Sequence, residues 1–205
     1  RTPLGPREIR ERLEDSWLTN FTQAQNVKYD GRRPVDIAEM RGQDPAYTFF
    51  DLLFEEKLGV SIVGLGTNPH TLPDFVSHPC GMIASDSILI GEFPSPRSYG
   101  CFPIVLAEYV RAEKHLRLPE AIRKMTSFPA QRMGIPDRGI LRDGMKADIV
   151  VFNPDTVKAQ ATKIQPKQFP IGIDYVIVNG KVVVEDGQHT GALPGRSIRR
   201  GRAST

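Results

Sequence analysis

The sequence predicts an α/β part, about residues 1–135, followed by an all-β part, about residues 136–205. Two observations carry that division. Helical periodicities alternate with short continuous apolar runs as far as Met133. From Gly139 onward helical patterning stops, and short apolar runs flank Asn179-Gly180, the strongest short-range hairpin signal in the sequence.

Residues 6–17 pattern as a helix, with Pro6 suited to a first turn and Ile9, Leu13 and Trp17 recurring at one face. Phe21–Tyr29 is ambiguous between strand and loop and ends at the Asp30-Gly31 turn. Residues 34–40 and 45–57 form two expected helices, the second capped by Asp44 ahead of Pro45. Its Phe49, Leu52, Leu53 and Phe54 give it a broad apolar face, as in a helix packed on a sheet. Residues 60–65 and 81–85 are expected to be buried parallel strands, because each is an apolar run bounded by turn residues. A short helix over 71–77, a longer one over 103–115 and two more over 119–126 and 129–133 complete the α/β part. Residues 147–152, 175–178 and 181–184 are the strands expected of the all-β part.

Composition is that of an ordinary globular protein: 205 residues, 40% hydrophobic and 25% charged. A formal net charge of +3 gives no argument for nucleic acid. Arg196, Arg199, Arg200 and Arg202 gather near the end without interleaved aromatic residues, which fits a solvated terminus better than a nucleic-acid tail. No apolar run approaches the roughly 20 residues of a membrane span. Residues 1–20 are charged and carry no basic-then-apolar leader pattern. The expected compartment is the cytoplasm, and Cys80 and Cys101 make neither a disulfide framework nor a zinc spacing.

Asp86 is the first candidate for chemistry. It follows the expected strand 81–85 at its C-terminal end, the edge from which catalytic side chains project in α/β barrels. A carboxylate there can move a proton from an attacking water to a leaving amine; the plainer reading is a turn aspartate. Arg97 and Tyr99 lie in the loop Ser95-Pro96-Arg97-Ser98-Tyr99-Gly100, where a guanidinium fork matches a carboxylate in a bidentate manner and an exposed loop arginine is the plainer alternative. His70, His78 and Cys80 fit no common metal-ligand spacing, and no residue is assigned as a metal ligand. His115 and His189 read as surface residues, and Cys101 as a small apolar one.

Longer runs then become recognisable. Met125-Thr126-Ser127-Phe128-Pro129-Ala130-Gln131-Arg132-Met133-Gly134, Asp137-Arg138-Gly139-Ile140-Leu141-Arg142-Asp143-Gly144 and Ala147-Asp148-Ile149-Val150-Val151-Phe152-Asn153-Pro154 resemble the stretch where amidohydrolase-superfamily chains leave their barrel for a small β-sandwich. Narrower runs are Ile83-Ala84-Ser85-Asp86, Pro96-Arg97-Ser98-Tyr99-Gly100-Cys101-Phe102-Pro103 and Leu106-Ala107-Glu108-Tyr109-Val110-Arg111, followed by a tail of Gly172-Ile173, Val178-Asn179-Gly180 and Gly191-Ala192-Leu193-Pro194-Gly195-Arg196. Together they resemble the N-acyl-D-amino-acid deacylase (D-aminoacylase) branch from roughly residue 33 to 200. Ser95 stands where that branch usually carries His, and Ser87 where it often carries Gly.

The resemblance implies the last βα units of a metal-dependent (β/α)8 barrel in residues 1–135, followed by the C-terminal strands of a β-sandwich in residues 136–205. It further implies Asp86 as proton shuttle to a metal-bound hydroxide, Arg97 and Tyr99 as substrate-binding residues, a small N-acyl-D-amino acid as substrate, and zinc in the complete enzyme. Such a barrel alone takes about 250 residues. The sequence has no His-x-His pair and opens on Arg1 rather than Met. The expectation is therefore a C-terminal part, inactive alone, completed by the rest of a longer product or by a complementing chain. Two alternatives stay open: a cyclic-amide hydrolase of hydantoinase or dihydroorotase type, and a non-catalytic assembly module.

Overall fold

The structure is a computed structural model that describes residue 11, residues 13–64 and residues 70–199. Two units make up the protein. One draws on Arg1–Asn68, Ser87–Ser98 and Thr162–Lys167, the other on Pro69–Asp86, Tyr99–Ala161 and Gln168–Thr205.

In the first unit, β1 (Ser16–Thr19) pairs antiparallel with β2 (Ser61–Gly64), Ser16 opposite Gly64 and Thr19 opposite Ser61. A 3-10 turn at Val27–Tyr29 leads to α1 (Pro34–Arg41) and α2 (Pro45–Glu55). Both helices begin on proline, whose missing N–H is harmless in a first turn. At the start of α2 the Asp44 carboxylate accepts from the Ala46 N–H at 2.9 Å, satisfying one of the helix's orphan donors. Leu18, Phe21, Tyr29, Ile37 and Leu52 form the core, with Phe49 and Val60 against it. Beside that core lies a polar knot. Glu56, only 3% exposed, accepts from the Thr22 N–H and hydroxyl, both at 2.8 Å, and from Asn26 Nδ2 at 2.9 Å. Arg41 clasps Glu55 through two N–H···O bonds of 2.9 Å.

In the second unit, α3 (Leu72–Ser77) precedes a turn, and α4 (Arg97–Ile104), which belongs to this unit from Tyr99 onward, runs directly into a π-helical stretch over Val105–Ala112. Pro103 lies inside that helix and has no N–H to give, so one rung of the ladder is missing just before the winding loosens. Helices α5 (Leu118–Met125) and α6 (Ser127–Met133) follow. The sheet runs in the order β3 (Ile149–Phe152), β4 (Ile173–Val178), β5 (Lys181–Glu185) and β6 (Gln188–His189), antiparallel throughout. Val105, Leu106, Leu116, Ala121 and Val157 are buried together, with Ile83, Met125, Phe152 and Ile173 packed on them. Arg111 Nη1 fastens the Pro154–Val157 turn through two carbonyls, at 2.8 and 2.9 Å.

The hairpin, the Asp44 cap and the helices near 34–40, 45–57, 71–77, 119–126 and 129–133 match their sequence expectations to within a few residues. Four expectations need correction. The helix expected over 6–17 has Pro6 and Ile9 outside the described residues; Glu11, Leu13 and Glu14 are helical, but Trp17 is in β1. Pairing with β2 and full burial of Leu18 override the helical periodicity. The run 60–65, expected as a buried parallel strand, forms β2, antiparallel and with Ile62 51% exposed; Leu65 lies outside the described residues. The run 81–85 forms no strand. A parallel strand exists only through its neighbours, and among the described residues every paired strand is antiparallel and no barrel closes. Finally, Arg97 and Tyr99, expected in a loop, are in α4.

Candidate functional site

The segment that carries Asp86 is held by its neighbours rather than by a sheet. The turn at 78–81 closes with the Gly81 N–H donating to the His78 carbonyl at 2.9 Å. A Cβ on Gly81 would come 2.7 Å from the Phe75 carbonyl oxygen, so this close approach requires glycine. Lys124, on α5 and with no exposed surface, reaches across and donates its Nζ to the carbonyls of Gly81, at 2.9 Å, and of His78. The Lys124 carbonyl in turn accepts from the Ile83 N–H at 3.1 Å. One residue further on, the Cys101 thiol lies 3.5 Å from the Ala84 carbonyl. Asp86 itself is exposed, with a positive φ of 38°. Asp is among the residues that tolerate that conformation best, because its short polar side chain bonds locally.

Arg97 is exposed and opens α4; Tyr99 is half-buried in the first turn of the same helix, its ring 5.6 Å from that of Phe169 at 58°. Asp86 and Tyr99 belong to the second unit and Arg97 to the first. His70, His78 and Cys80 are exposed or nearly so, and the His78 Nδ1 accepts from the Cys80 N–H at 3.3 Å. Among the described residues no three His, Cys, Asp or Glu side chains come together in a way that could hold a metal ion. That donor set therefore does not fit a metal centre by itself. Among the same residues, no helix is long and apolar enough to cross a membrane.

Lys124 escaped the sequence reading. Its signal was available: Leu118, Ala121, Ile122 and Met125 define the inward face of α5, and position 124 falls beside Ala121 on that face. A charged residue on a buried stripe needs bonded partners, because an ammonium out of water is costly without them.

Residues 37–184 match the amidohydrolase family model. The chain belongs to the amidohydrolase family. An N-acyl-D-glutamate deacylase from Alcaligenes xylosoxydans xylosoxydans is 42% identical over 123 residues, covering 60% of this chain and 25% of that protein. Among solved structures, a D-aminoacylase superposes with a TM-score of 0.81 at 32% identity, covering 90% of this amidohydrolase chain and 38% of its own. An N-acyl-D-glutamate deacylase from Bordetella bronchiseptica, solved with zinc and a phosphonate mimic of the tetrahedral intermediate, gives a TM-score of 0.76 at 32% identity, covering 94% and 38%. This amidohydrolase chain thus spans about a quarter of the length of the curated relative it matches.

Proposed function

We propose that this chain is the C-terminal part of an N-acyl-D-amino-acid deacylase, with residues 1–135 belonging to its barrel and residues 136–205 to its β-sandwich. The observation that carries the reading is the 42% identity to an N-acyl-D-glutamate deacylase, sustained over 123 residues. The reaction class is hydrolysis of an acyclic amide. Water adds to the acyl carbonyl, the C–N bond breaks, and a carboxylate and a free D-amino acid leave.

In this reading the Asp86 carboxylate accepts the proton of the attacking water and hands it to the departing nitrogen, which could not leave as an amide anion. Its exposure suits a group that must meet substrate. Arg97 supplies a planar pair of N–H donors for the substrate carboxylate, and Tyr99 is the second substrate-binding residue. Since no three potential ligands group together among the described residues, a metal centre would need ligands from the remainder of the enzyme or from a complementing polypeptide.

The test uses the completed enzyme with N-acetyl-D-amino acids and follows acetate release. Asp86→Asn is expected to lower kcat by about 10²–10⁴-fold, the usual contribution of a positioned acid–base group. Arg97→Ala is expected to raise KM for the carboxylate substrate and to leave the corresponding D-amino-acid amide nearly unaffected. No turnover of N-acetyl-D-amino acids, or a preference for hydantoins and dihydropyrimidines, would replace this reading with the cyclic-amide one.

A further inference from the structure

We infer that Lys124 is a positioning residue for Asp86: a buried ammonium on one helix fixes the turn and the following segment from which the carboxylate emerges. The inference rests on the deacylase reading for its consequence, but its geometry stands on its own.

A lysine with no exposed surface is unusual, because the ammonium forfeits its hydration. Here the loss is offset by two carbonyl acceptors, those of His78 and Gly81. Both belong to one turn, and the His78 carbonyl also takes the Gly81 N–H at 2.9 Å. The same lysine holds the segment a second time, through its own carbonyl and the Ile83 N–H at 3.1 Å. Side chain and main chain of one residue therefore grip positions 78, 81 and 83. Asp86 lies three residues beyond the last grip, a tether of at most about 10 Å. The thiol of Cys101 against the Ala84 carbonyl adds a contact one residue nearer to Asp86. In a strand, ladder bonds would set the direction of residues 81–86; with no ladder present, Lys124 takes over that task. The close packing of Gly81 on the Phe75 carbonyl is the other side of the grip, pressing the turn in from α3.

The experiment is Lys124→Met in the completed enzyme, since methionine matches the length and suits an apolar pocket. Backbone hydrogen exchange is read in residues 78–86 and, as an internal control, in the hairpin 173–185. Exchange is expected to rise about tenfold or more in 78–86 and to stay unchanged in the hairpin. For N-acetyl-D-amino acids kcat should fall on the order of 10²-fold, as expected for a misplaced catalytic group, with KM within about twofold. Lys124→Arg, which keeps the donors, should recover part of kcat. Should Lys124→Met fail to fold, Gly81→Ala dislodges the same turn while retaining the lysine, since the added Cβ meets the Phe75 and His78 carbonyls at 2.7 and 3.2 Å, and should give the same local exchange and the same loss confined to kcat. Unchanged exchange in 78–86 would overturn the grip; faster exchange with undiminished kcat would overturn the positioning role. Full activity of Asp86→Asn would instead remove Asp86 as proton carrier, while the exchange data would still decide the grip.

Discussion

Glu55 and Glu56 are two neighbouring carboxylates held in their charged form by hydrogen bonds. Hydrogen bonding to Arg41 holds the Glu55 carboxyl below the usual glutamate range. Burial alone would push Glu56 up, but bonds from Thr22, Asn26 and Gln23 outweigh it and hold that carboxyl below the range as well. A carboxylate whose folded value is depressed stabilises the fold above its unfolded value, near 4.3, and loses that contribution as pH falls through the folded value. The contribution of these two carboxylates to the unfolding midpoint in denaturant should therefore be constant down to about pH 5 and decline below about pH 4.3. Glu56→Gln should lower stability by about 2–3 kcal/mol, because an amide offers one acceptor where the carboxylate served several donors. That variant should also flatten the acid limb, as followed by circular dichroism across the acid range.

At the scale of elements, the β4–β5 hairpin illustrates how two residues set a register. Asn179 and Gly180 have φ of 49° and 77°, the pair of positive angles that a type I′ turn demands. Asn179 is also tied down by its surroundings. Its N–H donates to Asp148 at 2.8 Å, its side-chain amide donates to the Pro194 carbonyl at 2.8 Å, and its side-chain oxygen accepts from Arg138. Arg138, bonded to Asp148 as well, thereby links the start of β3 to the turn of the next hairpin. Gly180→Val forces a β-branched residue into a left-handed conformation and should lower stability by about 1–2 kcal/mol, read from the denaturant midpoint. Arg138→Met should have a larger effect than a typical surface substitution, since the Asp148 carboxylate and the Asn179 amide oxygen both lose a donor.

At the scale of the whole molecule, the apolar surface of the first unit is informative. Helix α2 buries Thr48 and Leu52 on one side, while Tyr47, Phe50 and Phe54 are 68%, 53% and 86% exposed on the other, with Leu58 just beyond at 75%. Exposed large apolar side chains at helical spacing form a contiguous sticky stripe. The 205-residue chain by itself is expected to self-associate with rising concentration, and Phe54→Lys should weaken that association in sedimentation velocity. Its unfolding midpoint should hardly change, because Phe54 contributes almost nothing to the buried core.

Features settled within a few residues of one another were legible in the chain before any folding partner was known. Asn179-Gly180 specified its turn because both angles are intrinsic to those residues. Asp44-Pro45 specified a helix start because cap and first turn are adjacent, and the runs between Met125 and Pro154 pointed to the amidohydrolases. Pairings between distant segments emerged with the folded chain alone. Ser16–Thr19 is a strand because Ser61–Gly64 lies beside it, although Trp17 continued a helical period. Residues 81–85 are apolar enough for a strand yet form none, and it is Lys124, some forty residues later, that holds them. A hydrogen-bond ladder or a buried ammonium needs a partner brought in by the rest of the fold, and no local pattern of residue types names that partner.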